Sequence, residues 1–118
     1  MISHVFDRGI LIIRFPSGID VAGRAAVAVE TEHLIHARRP LHVVIQLALP
    51  EAVAPAVFSL VLRAHRLCTE VGASSAIVSA SSDVRRLLAA NADSSGPAVF
   101  ADLSDAVRQA LQGHELAS

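Results

Sequence analysis

One stretch constrains the fold of this chain more than any other. Residues 41–49, Leu-His-Val-Val-Ile-Gln-Leu-Ala-Leu, form an almost unbroken apolar run, interrupted by His42, Gln46 and Ala48 and closed off by Arg38-Arg39-Pro40 and Pro50. The run is far shorter than the roughly 20 apolar residues that cross a bilayer. Its β-branched centre, its length and its flanking prolines favour a strand over a helix. A strand that is apolar on both faces is buried on both faces, which places it centrally in a mostly parallel sheet covered by helices.

The sequence on either side supplies the rest of such a sheet. Val5-Phe6 and residues 10–15 (Ile-Leu-Ile-Ile-Arg-Phe) are short strand-like runs separated by Asp7-Arg8-Gly9, a tight reversal that makes them antiparallel neighbours. Pro16-Ser17-Gly18 ends the second strand, and Asp20 caps a helix running to about Ala37. Its apolar stripe is read as Val21, Ala25, Ala28, Val29 and Ile35, with Arg24, Glu30 and Glu32 off that face. After the central strand, residues 50–55 form a loop whose second proline suits a first helical turn, where a missing N–H costs nothing. Val57, Leu60, Val61, Ala64, Leu67, Cys68 and Val71 then recur at three- and four-residue steps until Gly72. Residues 74–80 read as a short strand, and Ser81-Ser82-Asp83 caps a helix carrying Val84, Leu87 and Leu88. A polar loop over 91–96, a strand over 97–101 and a helix opened by Asp102 or Ser104 follow, with a loose tail after about 113. The predicted order is β-β-α-β-α-β-α-β-α. This is an α/β domain over residues 1–118, with one four- to five-stranded, mostly parallel sheet and about four helices.

Composition narrows the function classes. The formal net charge is −1, all ten basic residues are arginine, and the only aromatics are four phenylalanines. A chain so neutral and so poor in aromatics offers neither the phosphate-neutralising patch nor the stacking platform of a nucleic-acid binder. A single cysteine excludes an internal disulfide framework and a multi-cysteine zinc site, and the absence of lysine excludes Schiff-base chemistry. No glycine-rich phosphate loop follows any strand. With no membrane-length apolar segment and no secretion signal at the N-terminus, the expected location is the cytoplasm, with Cys68 reduced.

Four stretches together carry a family resemblance: Gly18-Ile19-Asp20-Val21; Val43-Val44-Ile45-Gln46-Leu47; Leu62-Arg63-Ala64-His65; and Val84-Arg85-Arg86-Leu87-Leu88 followed by residues 99–107. In their order and spacing the chain resembles the STAS domain family of bacterial anti-sigma-factor antagonists, over nearly its whole length. The resemblance implies the STAS fold and a non-catalytic regulatory role without a cofactor. The implied partner is an anti-sigma factor of the kinase type or another STAS protein; the related alternative is a dimeric signalling scaffold, a homodimer that contacts other STAS proteins and no anti-sigma factor. In the family, the loop before the second helix carries Asp-Ser-Ser-Gly or Asp-Ser-Thr-Gly, whose second hydroxyl the kinase phosphorylates. The matching positions here are Ala54, Pro55, Ala56 and Val57. The acceptor position is Ala56 and the aspartate position Ala54, and Gln46 stands where relatives end the central strand with an aspartate. The resemblance therefore implies a partner-docking site at Val53, Ala54, Pro55, Ala56, Val57 and Asp20, with no phospho-acceptor at its usual place. Ser59 is the nearest hydroxyl and the weak candidate for a substitute acceptor.

Residues 52–58 carry no charge. Projecting outward, they form an apolar patch of the kind that marks an interaction site; with Val57 and Phe58 turned inward, there is no patch. A second class of function, a sensor of nucleotides or lipids, requires a lined cavity of a few hundred Å3 at about the lower range for ligand pockets. His33 and His36 share a helix face but lack companion ligands, so they read as a polar surface and no metal site is assigned. Cys68 lies on an apolar stripe and reads as a small buried hydrophobe, and His65 three residues earlier has no third residue to orient it. Arg38-Arg39 and Arg85-Arg86 read as solvated pairs.

Overall fold

The computed structural model describes residues 2–16, 21–47, 55–91 and 97–117; of residues 21, 55–57, 91 and 113–117 only the backbone is described. Its elements follow the order expected from the sequence: β1 (Ser3–Asp7), β2 (Ile10–Phe15), α1 (Val21–Arg38), β3 (His42–Leu47), α2 (Pro55–Val71), β4 (Ser74–Val78), α3 (Ser82–Asn91), β5 (Ala98–Phe100) and α4 (Leu103–Ala117). The sheet has five strands in the spatial order β1-β2-β3-β4-β5. β1 and β2 are antiparallel and every other pair is parallel. The β1–β2 reversal places Arg8 at φ 53° and Gly9 at φ 80°. Positive φ at both central residues is the two-residue hairpin turn whose twist matches that of its strands.

This strand order dictates where the helices go. From β2 to β5 each strand is laid beside its predecessor in one direction, and each crossover is right-handed. Three successive crossovers of the same hand and direction place α1, α2 and α3 on one face. There, Leu11, Ile13 and Phe15 of β2, Val43, Ile45 and Leu47 of β3 and Ile77 of β4 meet Val27 and Ile35 of α1, Leu60, Val61, Ala64 and Cys68 of α2, and Val84 and Leu88 of α3. α4 lies on the other face. It covers Ile10, Val44 and Val78 with Ala106, supported by Leu103, Val107, Ala110 and Leu111. Residue 44 thus packs on one layer and residues 43 and 45 on the other, which is why the central run is apolar at successive positions.

Helix ends follow their local chemistry. Gly72 at φ 79° lets the N–H of Ala73 reach the carbonyl of Cys68 (2.8 Å) and its own N–H reach Thr69 (3.3 Å), the paired bonds of a Schellman stop. Arg39, at φ 48°, ends α1 with a single bond to Ile35 (3.1 Å), and Pro40 forbids continuation. The Ser81 hydroxyl accepts from Val84 N–H at 3.3 Å, and Asp102 Oδ1 accepts from Asp105 N–H at 2.9 Å, which makes Asp102 the cap of α4.

Several details differ from the sequence reading. The buried stripe of α1 is Val27, Thr31 and Ile35; Ala25 is exposed and Val29 is 65 % exposed. Because residues 25–29 are all apolar, they admit more than one helical phase, and the neighbours choose it. Leu41, Val71 and Leu87 are exposed rather than buried. β3 begins at His42, and β4 ends at Val78, two residues short of its expected end. α4 runs through Gly113 to Ala117, where the sequence reading expects a loose tail. Arg85 is not simply solvated: its Nη1 donates to the carbonyl of Ser79 at 2.8 Å and ties the β4–α3 turn together.

Candidate protein-docking surface

Every parallel strand leads into a helix at the same edge of the sheet, so that edge gathers the N-termini of α1, α2, α3 and α4. The first turn of a helix leaves backbone N–H groups without intrahelical acceptors and carries the positive end of the helix dipole. In α3 and α4 the caps at Ser81 and Asp102 take one such group each. α2 opens with Pro55, which has no N–H and fixes φ for the first turn. At the strand ends beside α4, Arg14 Nε and Nη2 both donate to Gln46 Oε1 at 3.4 Å. The neutral Gln46 amide thus engages its neighbour on β2 through a hydrogen bond rather than an ion pair.

Of the sequence-derived site residues, Pro55, Ala56 and Val57 form the opening turn of α2. Their side chains, together with Val53, Ala54 and Asp20, lie outside the described residues. The next residues fix how the helix sits. Phe58 is half-buried against the main core, Ser59 is exposed, and Leu60 and Val61 are buried. The apolar patch expected over 52–58 thus loses Phe58 to the interior. Ser59 is exposed on α2 just beyond the opening turn.

The remaining constellations are structural. Cys68 is fully buried in the free thiol form, and burial pushes its thiol up to about 11. His65 does not address it: His65 Nδ1 is hydrogen-bonded to Ser75 Oγ, joining α2 to β4. His42 Nδ1 makes the equivalent bond to Ser74 Oγ across β3 and β4. His33 and His36 are exposed on α1, and among the described residues no three His, Cys, Asp or Glu side chains converge on a point. Among those residues, too, no helix is long and apolar enough to cross a membrane. A feature the sequence reading missed lies between α1 and α2: a cleft of about 200 Å3, floored by Phe15 and walled by Thr31, Leu60, Ala64 and Leu67. It is built by two helices some thirty residues apart, and the only local hint of it is a threonine in the stripe of α1.

No protein-family model and no curated protein sequence matches the chain. Solved structures do. RsbS of Moorella thermoacetica, in a variant with one serine replaced by glutamate, superposes with a TM-score of 0.84 at 16 % identity, covering 97 % of each chain. The anti-sigma factor antagonist SpoIIAA in its unphosphorylated form gives a TM-score of 0.70 at 14 % identity, covering 96 % of this chain and 99 % of its own. The protein TM1081, solved by NMR, gives 0.77 at 12 % identity, covering 94 % and 89 % respectively. The fold is accordingly the STAS α/β fold, that of the anti-sigma-factor antagonists.

Proposed function

We propose that this chain is a non-catalytic STAS regulator of the anti-sigma-factor-antagonist type, with residues 1–118 as its STAS domain. It docks a protein partner through Val53, Ala54, Pro55, Ala56 and Val57 with Asp20 alongside, and it works in the cytoplasm. The observation that carries this reading is the end-to-end likeness to SpoIIAA and RsbS, joined to a second helix that opens within the segment matching the family's phosphorylated loop. The partner is an anti-sigma factor of the kinase type, or a second STAS protein, a further copy of this chain included.

The chemistry of the loop sets the mode of action. In relatives, a phosphoryl group at this place adds close to two negative charges beside a docked partner. Ala56 has no hydroxyl to accept it, so the surface holds one charge state and the protein acts as a permanently unphosphorylated antagonist. The test is binding, measured for wild type, Ala56→Ser and Ala56→Asp against partners recovered from the native cytoplasm and identified by mass spectrometry. A kinase-fold or STAS partner retained by wild type and Ala56→Ser, but weakened about ten-fold or more by Ala56→Asp, is the expected result. Equal binding by all three proteins refutes the docking site. Incubation with the kinase and labelled ATP tests the second half: label on residues 54–59, Ser59 above all, refutes the loss of the switch.

A further inference from the structure

We propose that the cleft between α1 and α2 binds a small apolar α-amino acid of about leucine size, a site separate from the docking surface and independent of it. Four observations converge on this ligand class.

The first is an unpartnered polar group. Thr31 lies in the buried stripe of α1 and is only 4 % exposed, yet its Oγ1 has no hydrogen-bond partner. Thr31 also lines the cleft. Valine has the same shape and would fill the position without burying a hydroxyl, so the threonine costs stability for which the packing gives no return. Threonine in a helix has two usable χ1 wells. A ligand acceptor in the cleft gives this hydroxyl the partner it lacks.

The second is size. The cleft of about 200 Å3 holds roughly seven water-sized groups at about 30 Å3 each. That accommodates a branched aliphatic side chain with its α-carbon substituents at the mouth. It is smaller than the roughly 300 Å3 at which pockets for drug-sized ligands begin, which suits a ligand of few atoms.

The third is the apolar interior. Phe15 closes the floor, and Leu60, Ala64 and Leu67 line the α2 side, so desolvation favours an alkyl group over a polar one.

The fourth is the charge around the mouth. Glu32 and Arg63 bridge α1 to α2 at 3.6 Å, and Arg66 and Glu70 stand one turn apart on α2 with no ion pair among the described residues. Two arginines and two glutamates sum to zero, so the mouth has no net attraction for a simple anion or cation. A zwitterion matches it. The carboxylate is held by Arg66, whose guanidinium suits two-point recognition, with a hydrogen bond from the Thr31 hydroxyl, and the ammonium is held by Glu70.

The test uses the intact chain and L-leucine. Calorimetry and amide chemical-shift titration compare L-leucine with 4-methylpentanoate, which lacks the ammonium, and 3-methylbutylamine, which lacks the carboxylate. Expected are saturable binding of leucine with shifts concentrated on α1 and α2, and affinities about ten-fold or more weaker for both analogues. Thr31→Val is the discriminating variant. It should melt at the same temperature as wild type or higher, because it removes an unpaired hydroxyl, while its affinity for leucine falls about ten-fold. The Arg66→Gln and Glu70→Gln variants should each weaken leucine and leave folding unchanged. Absence of saturable leucine binding overturns the proposal. So does a single-charge analogue that binds as well as leucine, or a Thr31→Val protein that binds leucine unchanged.

Discussion

The Cys68 thiol makes an unusually clean prediction about alkaline stability. The sequence contains no lysine and no tyrosine. Cys68 is its single cysteine, so no other thiol or phenol competes in the alkaline range. Burial among Val61, Ala64 and the sheet raises its pKa from 9.0 to about 11, chiefly because the thiolate would lose its hydration. The folded pKa lies above the unfolded one. The contribution is therefore fully present below about pH 9 and is lost as pH rises toward 11, because the unfolded chain releases its proton first. A two-unit gap predicts a fall of about 1.4 kcal/mol by pH 10, where the slope is steepest at about 1.1 kcal/mol per pH unit. Urea unfolding followed by circular dichroism at a series of pH values reads this directly, and the ultraviolet thiolate band is free of tyrosine and tryptophan absorption. Cys68→Ala supplies the control: less stable at neutral pH from the lost sulfur packing, but flat across the alkaline range. A wild-type curve as flat as the variant's refutes the reasoning. A variant that declines as steeply as wild type does so equally, because the titrating group would then lie elsewhere.

Backbone positions give further tests. Gly9→Ala should destabilise by about 1–2 kcal/mol, since it forces a Cβ onto a left-handed residue; the new atom meets Leu41 Cδ1 at 3.1 Å, the end of a side chain that can yield, so the backbone cost dominates. Arg39→Gly should do the reverse and stabilise by about 0.5–1 kcal/mol, the relief at φ 48° less the extra freedom glycine gains when unfolded. Both are read as shifts in denaturant midpoint at constant slope, and a change of the opposite sign in either refutes the left-handed assignment. Ser81→Ala and Asp102→Ala each remove a helix cap and should cost about 1 kcal/mol; a neutral Asp102→Ala would mean that α4 is not capped there.

The strands were the most legible part of the sequence because each is a compact β-branched run between turn residues, and Ile10–Phe15 and Val43–Leu47 need no tertiary information to be recognised. α2 was legible for a related reason: its apolar residues are spaced by polar ones, so only one helical phase buries them. α1 lacks that contrast. Its alanine- and valine-rich first half leaves the phase open, and the buried face is decided by contact with Phe15 and α2, with Thr31 inside and Val29 outside. The proposed docking segment rests on resemblance, and the structure adds that α2 opens at Pro55 and draws Phe58 inward. Beyond the threonine in α1, the α1–α2 cleft left no mark in the sequence, since a space between helices is a property of how they pack and not of either helix alone.

The stepwise strand order has a consequence for how the protein forms. Each parallel strand pairs with the strand made just before it, 32 residues earlier for β3 and β4 and 22 for β5, so a nascent polypeptide can extend the sheet as it emerges without waiting for later segments. α4 covers a face that α1, α2 and α3 leave open. Loss of this one helix would bare Ile10, Val44 and Val78 on an otherwise intact sheet, and exposed apolar strand surface of that kind promotes aggregation. The solubility of the second face of the sheet therefore rests on a single helix.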